Sequence, residues 1–354
     1  MSNMAAVDSN FKVETSIDKA DIRFYNVRTQ PFAVYGLLYE NGCFRRMPEA
    51  VALQAERDFD QPGGIHRLHD MAAGGRVRFV TDSPYIAIHA KMPFVGRMNH
   101  FALTGSAGFD MYVNCEEGYR YVKTFVPYEL VDHYESVHDF PDAQRREVII
   151  HFPPYSSVSD LYIGLADGAS LEAAPTYRIT DPIVYYGSSI TQGGCASRPG
   201  NVYSNILSMR LDADQINLGF SGNGKGEPTM ANYIASLPMS AFVFDYDHNA
   251  FTPEHLQKTH EPFYKTVRAA HPDIPVVMCS RPRWFLTKEE EERRHIIYTT
   301  YQHAREAGEN VFFLDGRQLM ALCGNEGTVD GCHPTDFGFR SMAKAIGDVL
   351  EQVL

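Results

Sequence analysis

The sequence predicts an α/β protein in which a C-terminal α/β/α three-layer sandwich with a parallel sheet follows an all-β, jelly-roll-like domain. Three observations lead to this prediction. The chain has 354 residues, more than a single hydrophobic core usually serves. Its first half contains short β-branched and aromatic runs between turn residues, and its second half alternates strand and helix patterns. We place the two domains at residues 1–175 and 180–354.

The first half is predicted to form an antiparallel sandwich or jelly roll between about Phe24 and Gly168. Short strands at regular intervals, bounded by turn residues, are typical of these folds. Residues 171–182 contain two prolines and are the expected crossing between the domains. The clearest strand patterns lie at residues 76–81, 85–90, 109–114, 119–125 and 147–152.

The second half alternates strand and helix patterns, which indicates a parallel sheet covered by helices on both faces. The predicted strands are residues 183–186, 215–218, 241–245, 275–279 and 311–314. The predicted helices are residues 202–211, 228–237, 253–270, 288–307 and 337–353.

Charge and hydropathy restrict the classes of partner. The chain has 32 basic and 44 acidic residues and a net charge of −12, which argues against nucleic acid as a partner. No apolar run approaches the ~20 residues that span a bilayer, so we expect no membrane partner. The N-terminus lacks the basic start and apolar core of a signal peptide, which predicts a cytoplasmic location. A secreted form with a trimmed signal is the alternative, and a homo-oligomer is left open.

The cysteine and histidine spacings do not indicate a metal site. The six cysteines are scattered, and no two form a C-x-x-C pair, so reduced thiols are expected. His66 and His69 have the spacing of two ligands on a helix, but Gly63-Gly64 precedes them and no third ligand is near in sequence. We therefore expect neither a metal nor an organic cofactor.

Chemically active residues follow several of the predicted strands. Ser189 follows the first strand, Gly222 the second and Asn249 the third, and the loop after the fifth carries Asp330 and His333. Because sites in parallel sheets form at the carboxyl ends of the strands, these residues are expected to meet at one edge.

The order of these residues resembles the SGNH (GDSL-type) hydrolases. Gly187-Ser188-Ser189-Ile190 is similar to the family's G-D-S-[L/I], with Ser188 in place of the aspartate. The run 217–222 is similar to the glycine block, and Asp330-Gly-Cys-His333-Pro to the closing D-x-x-H-P. Asn249 stands in place of the asparagine of the family's G-x-N-D block. This block departs most from the family pattern.

A second resemblance lies upstream. Ser159-Asp-Leu-Tyr-Ile-Gly is similar to the D-L-Y signature of a β-rich domain that precedes one branch of these hydrolases. The two resemblances together imply a two-domain serine esterase similar to carbohydrate acetyl esterases.

The residue types fit acyl chemistry. Ser189 is the expected nucleophile, His333 the base that takes its proton, and Asp330 the group that fixes the tautomer of that histidine. The amides of Ser189 and Gly222 and the side chain of Asn249 are the expected oxyanion donors. The motif is not the nucleophile elbow of α/β-hydrolases, because Thr191 occupies the second glycine position of G-x-S-x-G.

Each of these residues also has a structural interpretation when taken alone. A serine after a glycine at a strand-to-helix turn is often an N-cap. Gly222 could serve a tight turn, and Asn249 could hydrogen-bond its own loop. The segment around His333 could be no more than the start of a helix.

Three further residues are predicted to contact the substrate. His248 adjoins Asn249, and Arg198 and Trp284 follow the first and fourth strands. Trp284 is the single tryptophan and offers a stacking surface. Structural roles for all three stay open at this point.

The resulting hypothesis is a serine esterase that acts on an acetylated oligosaccharide or another small ester. The preference for sugar O-acetyl groups comes from the resemblance alone. A lipid or thioester acylhydrolase is the alternative among enzymes, and a non-catalytic carbohydrate-binding protein is the alternative of another class.

Overall fold

The computed structural model describes residues 3–8, 11–59, 64–127 and 131–354. Antiparallel strands occupy the N-terminal part of the chain and a parallel sheet with helices the C-terminal part, as the sequence predicts. The division at residues 175 and 180 stays a prediction. Among the described residues, no helix combines the length and apolar character that crossing a membrane requires.

The N-terminal part forms strands with three short helices between them in the described residues. The helices are α1 (Glu49–Ala55), α2 (Ile65–Leu68) and α3 (Leu103–Ser106). The strands are β1 (Asn3–Asp8), β2 (Phe11–Thr15), β3 (Ile22–Asn26), β4 (Ala33–Tyr35), β5 (Leu38–Glu40), β6 (Cys43–Arg45), β7 (Arg76–Thr81), β8 (Tyr85–Lys91), β9 (Phe109–Cys115), β10 (Gly118–Phe125), β11 (His133–Asp139), β12 (Arg146–His151), β13 (Asp160–Ala166) and β14 (Leu171–Glu172).

Two antiparallel sheets enclose the core of this part. One has the order β10-β9-β12-β7-β14, with β4 also paired to β7, and the other the order β11-β8-β13-β3. Every second residue of the central strands enters the shared core, as the two-residue period of a strand requires. Val77 and Phe79 of β7, and Ile86 and Ile88 of β8, are fully buried there. The jelly-roll assignment itself stays a prediction.

The C-terminal part alternates strands and helices. Its strands are β15 (Ile179–Gly187), β16 (Ala213–Gly219), β17 (Ala241–Asp245), β18 (Val276–Cys279) and β19 (Val311–Leu314). Its helices are α4 (Ser189–Gln192), α5 (Tyr203–Leu211), α6 (Pro228–Ala235), α7 (Pro253–Ala270), α8 (Lys288–Glu306), α9 (Gly316–Leu319) and α10 (Asp336–Val353).

These strands form one parallel sheet of order β16-β15-β17-β18-β19. Alternate residues of β15 point to opposite faces, so Val184 and Tyr186 join one apolar layer and Ile183 and Tyr185 the other. Helices α6, α7 and α8 contribute to the first layer, and α5 and α10 to the second. The predicted three-layer α/β/α sandwich is therefore confirmed.

The strand β15 starts four residues earlier than its apolar run suggests. Ile179 pairs with Ala213, and the pairing with β16 then shifts before resuming at Ile183. Pro182 lies inside this irregularity, where its missing amide hydrogen breaks no ladder bond. The short helices α4 and α9 were not predicted, because four residues are too few to show a helical period.

Buried arginines connect the two parts of the chain. Arg76 of β7 is fully buried and donates to the Gln215 carbonyl oxygen at 3.1 Å, and it also pairs with Asp214. Arg46 donates to the carbonyl oxygen of Gly219. Removing one partner of a buried charged pair is costly, so these contacts fix the antiparallel sheets against the edge strand β16.

Candidate active site

Ser189 is the first residue of α4, and one residue separates it from the end of β15. The N-cap of this helix is Ser188, whose side-chain oxygen accepts a hydrogen bond from the Ile190 amide at 3.2 Å. The capping role that a serine often takes at such a turn therefore belongs to Ser188. The hydroxyl of Ser189 is left for other contacts.

The predicted nucleophile, base and acid form a continuous chain of contacts. Ser189 Oγ lies 3.0 Å from His333 Nε2, and His333 Nδ1 lies 2.8 Å from Asp330 Oδ2. The structure thus brings Ser189, His333 and Asp330 together. The geometry fixes Nδ1 as the nitrogen that donates to the carboxylate, which leaves the Nε2 lone pair directed at the serine.

Asp330 is held by its own loop. The other carboxylate oxygen, Oδ1, accepts from the backbone amides of His333 at 2.8 Å and Cys332 at 3.0 Å. Burial raises the pKa of this carboxyl, but these amides and the His333 ring outweigh it and lower the pKa to about 2. Asp330 is therefore ionised at neutral pH, as the orienting acid must be.

Backbone contacts join the loops that carry the candidate oxyanion donors. The Phe220 amide donates to the Gly187 carbonyl oxygen at 2.9 Å, and the Asn249 side-chain amide donates to the Phe220 carbonyl oxygen at 2.8 Å. The Ser188 amide donates to the Asp245 carbonyl oxygen at 3.2 Å. The strand ends of β15, β16 and β17 are thereby held side by side.

The candidate oxyanion donors still have amide hydrogens that can bind a further acceptor. Among the described residues, neither the Ser189 amide nor the Gly222 amide has a hydrogen-bond acceptor, and one hydrogen of the Asn249 side-chain amide is also unengaged. Gly222 has φ +69°, and a Cβ there would meet nothing within 4 Å. Position 222 therefore favours glycine because its backbone is left-handed, and not because a side chain would clash with a neighbouring atom.

His248 precedes Asn249 in a single 3₁₀ turn and faces the base loop. Its Nδ1 lies 3.7 Å from Cys332 Sγ, and its Nε2 is buried with no partner among the described residues. Burial and the nearby Arg281 lower the pKa of His248 to about 3, so the ring is neutral. A contact of His248 with substrate stays a prediction.

An ion-pair network holds the turn that carries Asn249. Asp247 is fully buried and pairs with Arg281 at 3.2 Å and with Arg293 at 3.5 Å. Arg281 also pairs with Glu290 at 3.0 Å, which joins the turn to helix α8. Such paired buried charges fix the position of Asn249 relative to the sheet edge.

The N-terminal part reaches the site through residues that the sequence analysis missed. The Tyr155 hydroxyl donates to the Ser189 carbonyl oxygen at 3.1 Å, and the His100 ring centre lies 5.4 Å from that of His333. Gln192 is fully buried and donates to the Pro154 carbonyl oxygen at 3.0 Å, while accepting from the Ser221 amide at 2.9 Å. Gln192 thus joins the serine helix, the glycine loop and the N-terminal part.

Arg198 lies between the two parts of the chain, where its charge is already paired. Its guanidinium contacts Asp110 at 3.1 Å, donates to the Tyr112 hydroxyl and lies 4.0 Å from the Tyr121 ring centre. The Gly200 amide also donates to Asp110, at 2.8 Å. These contacts give Arg198 a structural role, and its contact with substrate stays a prediction.

Trp284 is partly exposed on the loop after β18. Its backbone amide donates to Asn325 at 3.4 Å, and its ring approaches Gly324. No described contact joins Trp284 to Ser189 or His333, and its stacking role stays a prediction.

Two groups of side chains have the spacing of metal ligands in the described residues. Glu49, His66 and His69 form one, and His100, Cys195 and His333 form the other. In the first group, His69 Nε2 accepts from Arg45 and its Nδ1 donates to the His66 carbonyl oxygen. Because the lone pair of His69 is occupied, that group does not suit a metal ion.

Comparisons with known families agree with this architecture. Residues 180–351 match the GDSL-like lipase/acylhydrolase family, and residues 22–171 match the GxDLY domain, described as the N-terminus of SGNH-hydrolase-type esterases. A search of curated proteins returned no match.

Solved structures resemble the chain over nearly its full length. A protein described as a GDSL-like lipase from Bacteroides ovatus is 26% identical with a TM-score of 0.81, covering 94% of this chain and 98% of its own. The salicylyl-acyltransferase SsfX3 of a tetracycline biosynthetic pathway is 21% identical with a TM-score of 0.75, covering 95% and 99%. An acetyl xylan esterase from Butyrivibrio proteoclasticus is 11% identical with a TM-score of 0.61, covering 94% and 98%.

Proposed function

Residues 180–351 belong to the GDSL-like lipase/acylhydrolase family, and on this premise we propose that the chain is a serine esterase that removes O-acetyl groups from carbohydrates. The observation that carries the proposal is the contact chain from Ser189 through His333 to Asp330, with distances of 3.0 and 2.8 Å. A serine hydroxyl is a weak nucleophile until a positioned base accepts its proton, and in this series of contacts the proposed base is His333.

The proposed reaction has two steps. In the first, Ser189 Oγ bonds to the ester carbonyl carbon while its proton passes to His333 Nε2. The tetrahedral intermediate then releases the alcohol, which takes that proton, and leaves an acyl group on Ser189. In the second, His333 Nε2 takes a proton from a water molecule, whose oxygen attacks the acyl carbon. The bond between Ser189 Oγ and the acyl carbon then breaks, Ser189 Oγ takes the proton from His333, and the acid is released.

The developing oxyanion is assigned to the three unengaged donors. The amides of Ser189 and Gly222 and the Asn249 side chain come from three adjacent strand ends, which the Gly187–Phe220–Asn249 contacts hold together. Donors fixed by a sheet need little reorganisation when charge develops, and one such donor is typically worth about 3–4 kcal/mol in the transition state.

The acetyl preference rests on two kinds of support. Ser189 is only 8% exposed, the Tyr155 hydroxyl donates to its carbonyl oxygen, and the His100 ring lies beside that of His333, which favours a short acyl group. An acetyl xylan esterase shares the fold along nearly the whole chain, although at 11% identity that likeness concerns the fold alone.

A series of p-nitrophenyl esters tests the acyl preference. We expect the rate to fall steeply from acetate through butyrate to octanoate. Rates that rise toward octanoate would contradict the acetyl assignment and favour the lipid acylhydrolase alternative.

Acetylated oligosaccharides test the acceptor class. Xylan, mannan and pectin fragments are compared by mass spectrometry before and after incubation, with Ser189→Ala as the control. The proposal is supported if at least one glycan loses acetyl groups with the native chain and not with Ser189→Ala. Unchanged spectra for all three, with p-nitrophenyl acetate still hydrolysed, would reject carbohydrates as the substrate.

A further inference from the structure

Three potential metal ligands meet beside Ser189. His100 comes from the loop between β8 and β9, Cys195 follows α4, and His333 comes from the loop before α10. Each offers one ligand atom, and these atoms all lie within 4.8 Å of one another. The cluster therefore draws on both parts of the chain.

Both imidazoles are oriented for coordination. His333 Nδ1 lies 2.8 Å from the Asp330 carboxylate, and His100 Nδ1 lies 3.1 Å from Asn99 Oδ1. Metal-binding histidines usually donate their second nitrogen to such an oxygen, which fixes the tautomer and leaves the other lone pair for the metal. In both residues a metal ion would therefore bind Nε2, which in His333 is the nitrogen that lies 3.0 Å from Ser189 Oγ.

The conformation of Cys195 is unusual. Its φ is +75°, in the left-handed region that costs an L-residue about 1–2 kcal/mol. Its side chain is a free thiol. Strained residues are concentrated at functional sites, where the surrounding structure holds them in place.

Two imidazoles and a thiolate form a ligand set that suits zinc. Zinc–nitrogen and zinc–sulfur distances of about 2.0–2.3 Å place tetrahedral ligand atoms about 3.3–3.7 Å apart, so shifts of about 1 Å would complete the site. A fourth position remains for water. Binding replaces the sulfur–hydrogen bond of Cys195 by a sulfur–zinc bond and releases one proton to solvent.

We infer that His100, Cys195 and His333 form a zinc site whose occupation switches the esterase off. The zinc ion takes the Nε2 lone pair of His333, which is the lone pair that would accept the Ser189 proton. Metal binding and proton transfer therefore exclude each other. The inhibition rests on the proposed role of His333 in ester hydrolysis, whereas metal binding does not.

Cobalt(II) is the spectroscopic probe, because it replaces zinc in tetrahedral sites and absorbs visibly. Titration of the metal-free full-length chain is expected to give tetrahedral d–d bands and a near-ultraviolet thiolate-to-cobalt band, saturating at one equivalent. Zinc added afterwards should displace the cobalt and erase both bands. A native chain that develops no thiolate-to-cobalt band would overturn the inference.

Variants identify the ligands. Cys195→Ser should lose the thiolate-to-cobalt band, and Cys195→Ser and His100→Gln should each weaken cobalt binding at least tenfold. Cys332→Ser is the matched control, because its sulfur lies 3.7 Å from His248 Nδ1 and is not one of the three ligand atoms, and it should keep the band. A band that survives in Cys195→Ser would contradict the assignment. If Cys195→Ser fails to fold, the cobalt affinity of His100→Gln, which changes a residue on a separate loop, still tests the site.

Esterase assays with and without zinc separate the two proposals. The rate of each variant with zinc is compared with the rate of the same variant without zinc. The zinc concentration for half inhibition should be at least tenfold higher in Cys195→Ser and His100→Gln than in the native chain. The chelator EDTA should restore the native rate. A chain that binds cobalt through Cys195 but hydrolyses no ester refutes the proposed function and not the site. Undiminished hydrolysis at saturating zinc refutes the switch.

Discussion

The Ser189 hydroxyl oxygen and His333 Nε2 lie 3.0 Å apart, although 144 residues separate them in the chain. Ser189 starts the helix after β15, and His333 lies on the loop that precedes α10. The parallel sheet brings the carboxyl ends of its strands to one edge, which allows residues so distant in sequence to meet.

The neighbouring serines have different expected roles. Ser189→Ala removes the nucleophile and should lower kcat for p-nitrophenyl acetate at least about a thousandfold. Ser188→Ala removes only the helix cap, so it should cost about 1 kcal/mol of stability and leave most of the activity. Hydrolysis rates and melting temperatures of both variants check this. Comparable losses of activity in the two would contradict the assignment of Ser189.

Asp330→Asn should lower kcat about 10²–10⁴-fold, because a neutral amide no longer fixes the tautomer of His333. The pKa of Asp330 is depressed to about 2, so its carboxylate contributes stability above the unfolded pKa, near 4. That contribution is lost as the pH falls toward 2.

Melting temperatures between pH 2 and pH 7 test this dependence. Asp330→Asn should be less stable than the native chain at pH 7, and the two should converge near pH 2. The difference should be modest, because the Asp330 side chain is 37% exposed and solvent screens it. A constant difference across this range would argue against an ionised Asp330.

Two asparagines near the site form a matched pair. Asn249→Ala removes a proposed oxyanion donor and should lower kcat about 10²–10³-fold with little change in KM. The Asn223 side chain donates to the Ser221 carbonyl oxygen at 2.6 Å within its own loop, so Asn223→Ala is the control. Steady-state kinetics distinguish them, and an Asn249→Ala effect confined to KM would point to ground-state binding.

Glu227 is a buried acid with a predictable pH dependence. Burial raises its pKa from 4.5 to about 7, against the opposing hydrogen bonds of Tyr186 and the Lys225 amide. The folded chain therefore retains a proton that the unfolded chain releases. Between about pH 4.5 and 7, the free energy of unfolding should fall as the pH rises.

Glu227→Gln should abolish this loss, since the amide has no charge to bury. The quantity to compare is the free energy of unfolding of the variant minus that of the native chain. It should be on the order of 3 kcal/mol more positive at pH 8 than at pH 4. Denaturant unfolding at both pH values measures the change. Glu292→Gln, on an exposed part of α8, is the control and should follow the native curve. Parallel curves for Glu227→Gln and the native chain would refute the raised pKa.

The sequence was sufficient for features that depend on local pattern. The strands 241–245 and 311–314 and the helix 253–270 have the predicted bounds, because their periodicity and flanking residues are unambiguous. Ser189, Asp330 and His333 were found because their residue types follow strand ends in a recognisable order. Their catalytic roles remain proposals.

Other features depend on packing that no local pattern encodes. His100 and Tyr155 reach the site from the N-terminal part, and nothing in their immediate sequence indicates that approach. Gln192 carries no signal beyond its place after Ser189, although it joins three segments. The ion pair of Arg198 with Asp110, which is distant in the chain, likewise has no local signal in the sequence.

The central claim is that His333 activates Ser189 as the nucleophile. A fluorophosphonate, which reacts with activated serines, tests it directly when the adduct is located by mass spectrometry of peptides. We expect one adduct, on Ser189, and its loss in Ser189→Ala and His333→Ala. An adduct on another residue, or undiminished labelling of His333→Ala, would contradict the claim.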